Sequence, residues 1–134
     1  MHEYTVELRI EGEMLEPDLV TSEMRLKPSL SRVVGERQGK PSTFSFSKAL
    51  WVYSASARGV PLDSLDQGLN KIMNRLESRG HHLRRYAREF DVYWWCGHFQ
   101  SSIDGGPTFS PKLLQRLAEF GVPLRMNTYF SGDH

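Results

Sequence analysis

Tyr4, Val6, Leu8 and Ile10 are apolar, and the residues between them, Thr5, Glu7 and Arg9, are polar. A period of two over this length is a strand with one buried and one wet side. Such a strand belongs to a sheet covered on one face, and that requirement shapes the rest of the reading. Near the other end, Leu124, Met126, Thr128 and Phe130 alternate with Arg125, Asn127 and Tyr129. Residues 49–56 read as a further strand, with Trp51 and Tyr53 on one side and Leu50 and Val52 on the other. Residues 91–99 form a strongly apolar strand dense in aromatics, whose consecutive Trp94 and Trp95 must point to opposite faces. A short strand is expected near Arg32–Val34.

The cover comes from helices. Leu62, Leu65, Leu69, Ile72, Met73 and Leu76 form a stripe at helical spacing, predicting a helix over 62–79. Asp63 is its expected N-cap, Asp66 suits its first turn, and Gly80 its C-terminal stop. A second helical stretch runs from His81 to about Phe90. Pro17 opens a short helix carrying Leu19, Val20 and Met24, and Ser110-Pro111 opens another carrying Leu113, Leu117 and Phe120 before Gly121. The two ends thus share a plan of strand, turn, proline-opened helix and extended segment. Residues 25–48 read as a long basic loop, with Arg25, Lys27, Arg32, Arg37, Lys40 and Lys48 against Glu36. The whole predicts one α+β domain over residues 1–134, a mixed or mostly antiparallel sheet of four or five strands with about three helices. A ferredoxin-like arrangement is compatible with this, although the last helix departs from a simple βαββαβ order.

No run of 18 apolar residues occurs, which argues against a transmembrane helix, and the acidic, alternating N-terminal stretch is unlike a secretory signal. The one cysteine, Cys96, fits a reducing compartment. A cytoplasmic protein without membrane association is therefore expected. Cys96 and His98 share a strand face, but a structural zinc site needs four ligands and no second cysteine exists. His81 and His82 are adjacent and diverge on a helix. Cys96 lies in an apolar window that suits a buried thiol better than a reactive thiolate. No metal, no cofactor and no catalytic constellation is expected, and the balance leans away from an enzyme.

Charge is more informative. Residues 1–23 hold seven acids (Glu3, Glu7, Glu11, Glu13, Glu16, Asp18 and Glu23) against Arg9, although the whole chain is only +1. Arg75, Arg79, Arg84, Arg85 and Arg88 are concentrated in 75–88, facing Glu77 with Glu89 nearby. This segment is a candidate surface for an acidic protein partner, or less readily for RNA; the plain alternative is that these arginines pair with the N-terminal acids across the fold. A second candidate is the polar side of the sheet, where Thr5, Glu7, Arg9, Arg125, Asn127 and Tyr129 share a floor if helices cover only the other face. Its mixed charge suits a protein or a small polar ligand better than a nucleic-acid backbone. The leading expectation is a non-enzymatic protein-binding domain; the rivals are an enzyme or small-ligand domain using the sheet floor, and RNA binding through 75–88. Oligomeric state is left open.

Tyr4 to Gly12, Leu26-Lys27-Pro28 followed by Gly35, Trp51, the Leu65/Leu69/Ile72/Leu76 helix, and the run from Phe109 to Gly121 with the strand to Tyr129 together resemble a bacterial family, the domain of unknown function numbered 4279. The resemblance covers nearly the full chain and rests on core, cap and turn residues. It implies a small α+β domain. It carries no activity, cofactor or functional residue to any position here. Association with toxin genes in domains of this kind gives the binding reading its concrete form, an immunity or regulatory protein.

Overall fold

The computed structural model describes residues 2–35, 47–57 and 60–131. The expectations for Glu36, Arg37 and Lys40 lie outside those residues. The alternating N-terminal run becomes β1 (His2–Gly12), the sheet's longest strand and its centre. Next come α1 (Pro17–Met24), β2 (Leu30–Arg32), β3 (Ala49–Ser54) and α2 (Leu65–Leu76). A 3₁₀ turn over Glu77–Arg79 leads into α3 (Gly80–Glu89), then β4 (Asp91–Gln100), α4 (Pro111–Phe120) and β5 (Leu124–Phe130). α2, the 3₁₀ turn and α3 form one nearly continuous arm, so among the described residues three helical arms accompany five strands.

The strand order is β2-β3-β1-β4-β5. β1 pairs antiparallel with β3, setting Ile10 opposite Trp51, and with β4, setting Val6 opposite Cys96 and Leu8 opposite Trp94. β2 is antiparallel to β3, whereas β5 runs parallel to β4. The order and antiparallel pairing of the first four strands are those of the ferredoxin-like split βαβ arrangement. The α4–β5 unit extends it, and the parallel β4–β5 pairing requires the crossover that α4 provides.

The even-numbered side of β1 is the covered one. Val6, Leu8, Ile10, Trp51, Trp94 and Cys96 form a single buried cluster with Val20 and Met24 of α1, Leu69 and Ile72 of α2, Leu83 of α3 and Leu117 of α4. α2 lies so close to β1 that a Cβ at Gly68 would be 2.7 Å from Val6 Cγ2. The Trp51 indole N–H donates to Thr21 Oγ1 of α1 at 3.0 Å, and the Phe120 ring meets Trp94 edge-on at 6.4 Å.

Four local expectations change. The N-cap of α2 is Ser64, whose hydroxyl accepts from the Gln67 N–H at 3.2 Å; Asp63 precedes it. Leu62 leaves the helical stripe because it exchanges backbone hydrogen bonds with Tyr4, extending the sheet locally. Gly80 does not stop the helix. Its φ of −58° is right-handed, and the chain runs on into α3. A side chain there would press on Arg84, with the Phe120 ring just beyond. The short strand lies at Leu30–Arg32, slightly before Arg32–Val34, because Leu30 and Arg32 pair with Val52 and Leu50. The proline-opened helices form as expected, and Ser110 Oγ caps α4 at the Leu113 N–H.

Candidate functional site

The helices pack on one side, so the other face of the sheet has no helical cover among the described residues. Strand alternation sends Thr5, Glu7 and Arg9 of β1, Tyr93, Trp95, Gly97 and Phe99 of β4, and Arg125, Asn127 and Tyr129 of β5 to this face. The sheet-floor candidates Arg9, Arg125, Asn127 and Tyr129 are therefore brought together with Thr5 and Glu7.

Glu7 is only 8% exposed, although it is an acid on the uncovered face. Its Oε1 accepts from Arg9 Nε at 2.9 Å and Nη2 at 2.7 Å, and its Oε2 accepts from Ser54 Oγ at 3.0 Å. The charge is thus paired and hydrogen-bonded, as a buried carboxylate requires. Burial works against the charged form of Arg9, but the hydrogen bond and charge of Glu7 outweigh it and hold the guanidinium's pKa above its usual value. The Arg9 guanidinium lies 4.7 Å from the centre of the Trp95 ring, and Arg125 lies 3.8 Å over Tyr93 while reaching Asp91 at 3.1 Å. Phe99 and Tyr129 stack at 5.0 Å. Gly97 allows this carpet to lie flat. A Cβ there would be 2.6 Å from Thr5 Oγ1 and 3.1 Å from both the Trp95 and Phe99 rings. A shallow groove of about 230 Å³ runs over Thr5, Glu7, Arg9, Ser54, Trp95 and Phe99.

The arginines of 75–88 do not form one surface. Arg85 turns towards α1 and donates to Glu23 Oε1 at 2.7 Å. Tyr86 donates to the same oxygen. The Tyr86 hydrogen bond, with Arg85 and His82 adding to it, keeps the Glu23 carboxyl below its usual pKa, and burial pushes the Tyr86 hydroxyl up to about 12. Arg84 turns the other way, beside Gly80 and Gly121, with Nη1 3.5 Å from the Glu119 carbonyl of α4. Arg79 donates to Ser78 Oγ, and Arg75 and Arg88 are exposed.

Cys96 is fully buried on the helix side, and burial raises its thiol pKa to about 12. Deprotonation to a nucleophile is suppressed there. His98, 4% exposed, meets His2 instead. His2 Nε2 lies 2.7 Å from the Asp104 carbonyl and its Nδ1 lies 2.8 Å from His98 Nε2. A carbonyl only accepts, so His2 Nε2–H donates to it, and a single hydrogen is shared between His2 Nδ1 and His98 Nε2. Desolvation, reinforced by His2, lowers the His98 pKa. Among the described residues no group of three or more His, Cys, Asp or Glu is placed to share a metal ion, and no helix is long and apolar enough to cross a membrane.

Sequence reading missed the burial of Glu7, the place of Tyr93 on the floor and the His2–His98 pair. The first had a signal in the opposite charges of Glu7 and Arg9 two residues apart on one strand side. The histidine pair, 96 residues apart, had none.

The family profile described as "Domain of unknown function (DUF4279)" matches residues 2–131. No curated protein and no solved structure matches the chain.

Proposed function

The chain belongs to the DUF4279 domain family, and on that premise we propose that it is a non-catalytic protein-binding domain whose working surface is the uncovered sheet face. The observation that carries this reading is the aromatic and arginine carpet of Trp95, Phe99, Tyr129, Arg9 and Arg125, held flat by Gly97. Trp, Tyr and Arg are the side chains that dominate protein interfaces, since they supply large contact area with a polar handle. The carpet is divided between two open hollows, about 230 Å³ over Glu7, Arg9 and Trp95 and about 350 Å³ beside Phe99 and Tyr129, rather than one enclosed pocket, which favours a broad protein contact. Glu7 and Asp91 balance Arg9 and Arg125, an arrangement better matched to a protein of mixed charge than to a phosphate backbone. An immunity or regulatory protein acting in the cytoplasm of a bacterium is the concrete form, in which this face covers a partner's working surface.

Affinity capture from native lysate tests the reading. A partner held by the wild type should be lost from a Trp95→Ala/Tyr129→Ala double variant with unchanged circular dichroism, and kept by Arg84→Glu/Arg88→Glu. Capture that survives the first pair and fails with the second would move the interface to α3 and overturn this assignment.

A further inference from the structure

The two edges of the sheet are unequal. One is β2, only three residues long, and shortness is a common way of blunting an edge. The other is β5, seven residues reading Leu-Arg-Met-Asn-Thr-Tyr-Phe, with neither proline nor lysine. Its single charge does not guard the edge, because Arg125 is folded inward over Tyr93 and onto Asp91. Trp94 N–H donates to the Pro123 carbonyl, and Ser131 N–H donates to the Gln100 carbonyl. Odd-numbered residues of this strand therefore turn their backbone groups towards β4, and Leu124, Met126, Thr128 and Phe130 turn theirs outward. Among the described residues no strand takes these outward groups.

We infer that β5 of one copy pairs antiparallel with β5 of a second copy, about a two-fold axis through Asn127, joining two five-stranded sheets into one. The strand is self-complementary in that register. Leu124 meets Phe130 and Met126 meets Thr128, and all four are outward-facing, so each opposed pair exchanges both backbone hydrogen bonds. Asn127 meets Asn127 of the other copy as a close, non-hydrogen-bonded pair. Arg125 falls opposite Tyr129, and no like charges are opposed. Registers centred elsewhere on the strand leave part of it unpaired. An axis perpendicular to the sheet keeps both sets of helices on one side. There an almost wholly apolar groove of about 390 Å³, between Leu114, Leu117 and Ala118 of α4 and Leu124, lies beside β5. Leu114 is 51% exposed. The same operation sets Phe130 of the other copy, 52% exposed, opposite Leu124 at the β5 side of this groove, so the unpaired backbone and the apolar surface beside it gain one occupant. On the other side, the two carpets become continuous through Tyr129 and Arg125.

Light scattering after gel filtration should give twice the 15.4 kDa chain mass, with dissociation on dilution. Asn127→Lys opposes two ammonium groups across the axis and should weaken the dimer about fivefold or more, while the melting temperature measured at dilutions where both proteins are monomeric stays unchanged. Asn127→Cys places two thiols at a close cross-strand position, and mild oxidation should link two chains rapidly. Gln115→Cys, exposed on α4, measures random collision, and Cys96 is too buried to compete. If Asn127→Lys fails to fold, the cysteine variant decides. A chain that stays monomeric up to about 0.5 mM overturns the inference, as does a dimer in which Asn127→Cys links no faster than Gln115→Cys.

Discussion

At the residue scale, the strongest electrostatic statements concern groups that lose stability in acid. His98 and His82 both have pKa values lowered first by desolvation, and Glu23 is lowered first by the Tyr86 hydrogen bond. A depressed folded pKa means that the unfolded chain binds the proton more readily, so stability falls as pH falls. The imidazoles begin to act below their unfolded value of 6.5, and Glu23 begins below 4.5. Urea unfolding at descending pH should therefore show two stages of loss, one starting near pH 6.5 and one near 4.5. Glu23→Gln should flatten the second and, by removing the carboxylate that partly holds up the His82 pKa, deepen His82's share of the first while leaving that of His98. Tyr86 works in the other direction: its raised folded pKa gives a contribution complete below 10 and lost as pH rises through about 12. A neutral-to-acid profile with no slope between pH 7 and 5 would mean that neither imidazole is held neutral by the fold. These residues were the least legible in the sequence. Glu23 and Tyr86 are 63 positions apart, and only the packing of α1 against α3 brings them together.

At the element scale, β4 sets its two tryptophans to different tasks. Trp94 is fully buried against Phe120, whereas Trp95 lies half-buried on the carpet beneath Arg9. Trp94→Ala should cost about 3–5 kcal/mol in chemical denaturation, and Trp95→Ala distinctly less. Equal losses would mean that the uncovered face is covered after all. Gly68 supplies a second contrast. A methyl at this position would meet Val6 and Leu62 at under 3 Å, so Gly68→Ala should destabilise by about 1–3 kcal/mol although alanine favours helices. Strands and helices of this kind were readable because their periods differ, 2 for β1 and 3.6 for α2. Their ends were less so. Asp63 and Ser64 are both good caps and only the register of the first turn chooses between them, while Gly80 reads as a stop until the packing of α3 against Phe120 is known.

At the scale of the whole molecule, the segregated charges of the sequence resolve into an internal contact. The acidic N-terminal stretch reaches the arginine segment where Glu23 of α1 takes Arg85 and Tyr86 of α3, with His82 Nδ1 4.0 Å from its other oxygen. The charge dipole of the chain is thereby partly spent on docking one helix against another. The open face, legible only as a condition on where the helices would go, follows from every helical stripe finding the same side of β1. A charge-reversal pair separates docking from surface decoration. Arg85→Glu sets a carboxylate against Glu23 and should lower the melting temperature, with partial recovery in the Glu23→Arg/Arg85→Glu double variant. Arg88→Glu, on the exposed side of the same helix, should leave the melting temperature within about 1 °C of wild type. Half-exposed pairs are weakened by solvent and salt, so the Arg85 effect should shrink as ionic strength rises towards 1 M, where the Debye length is about 3 Å. Identical shifts for the two single variants at low salt would mean that the segment acts through its summed charge, and the α1–α3 contact would lose its special place in the fold.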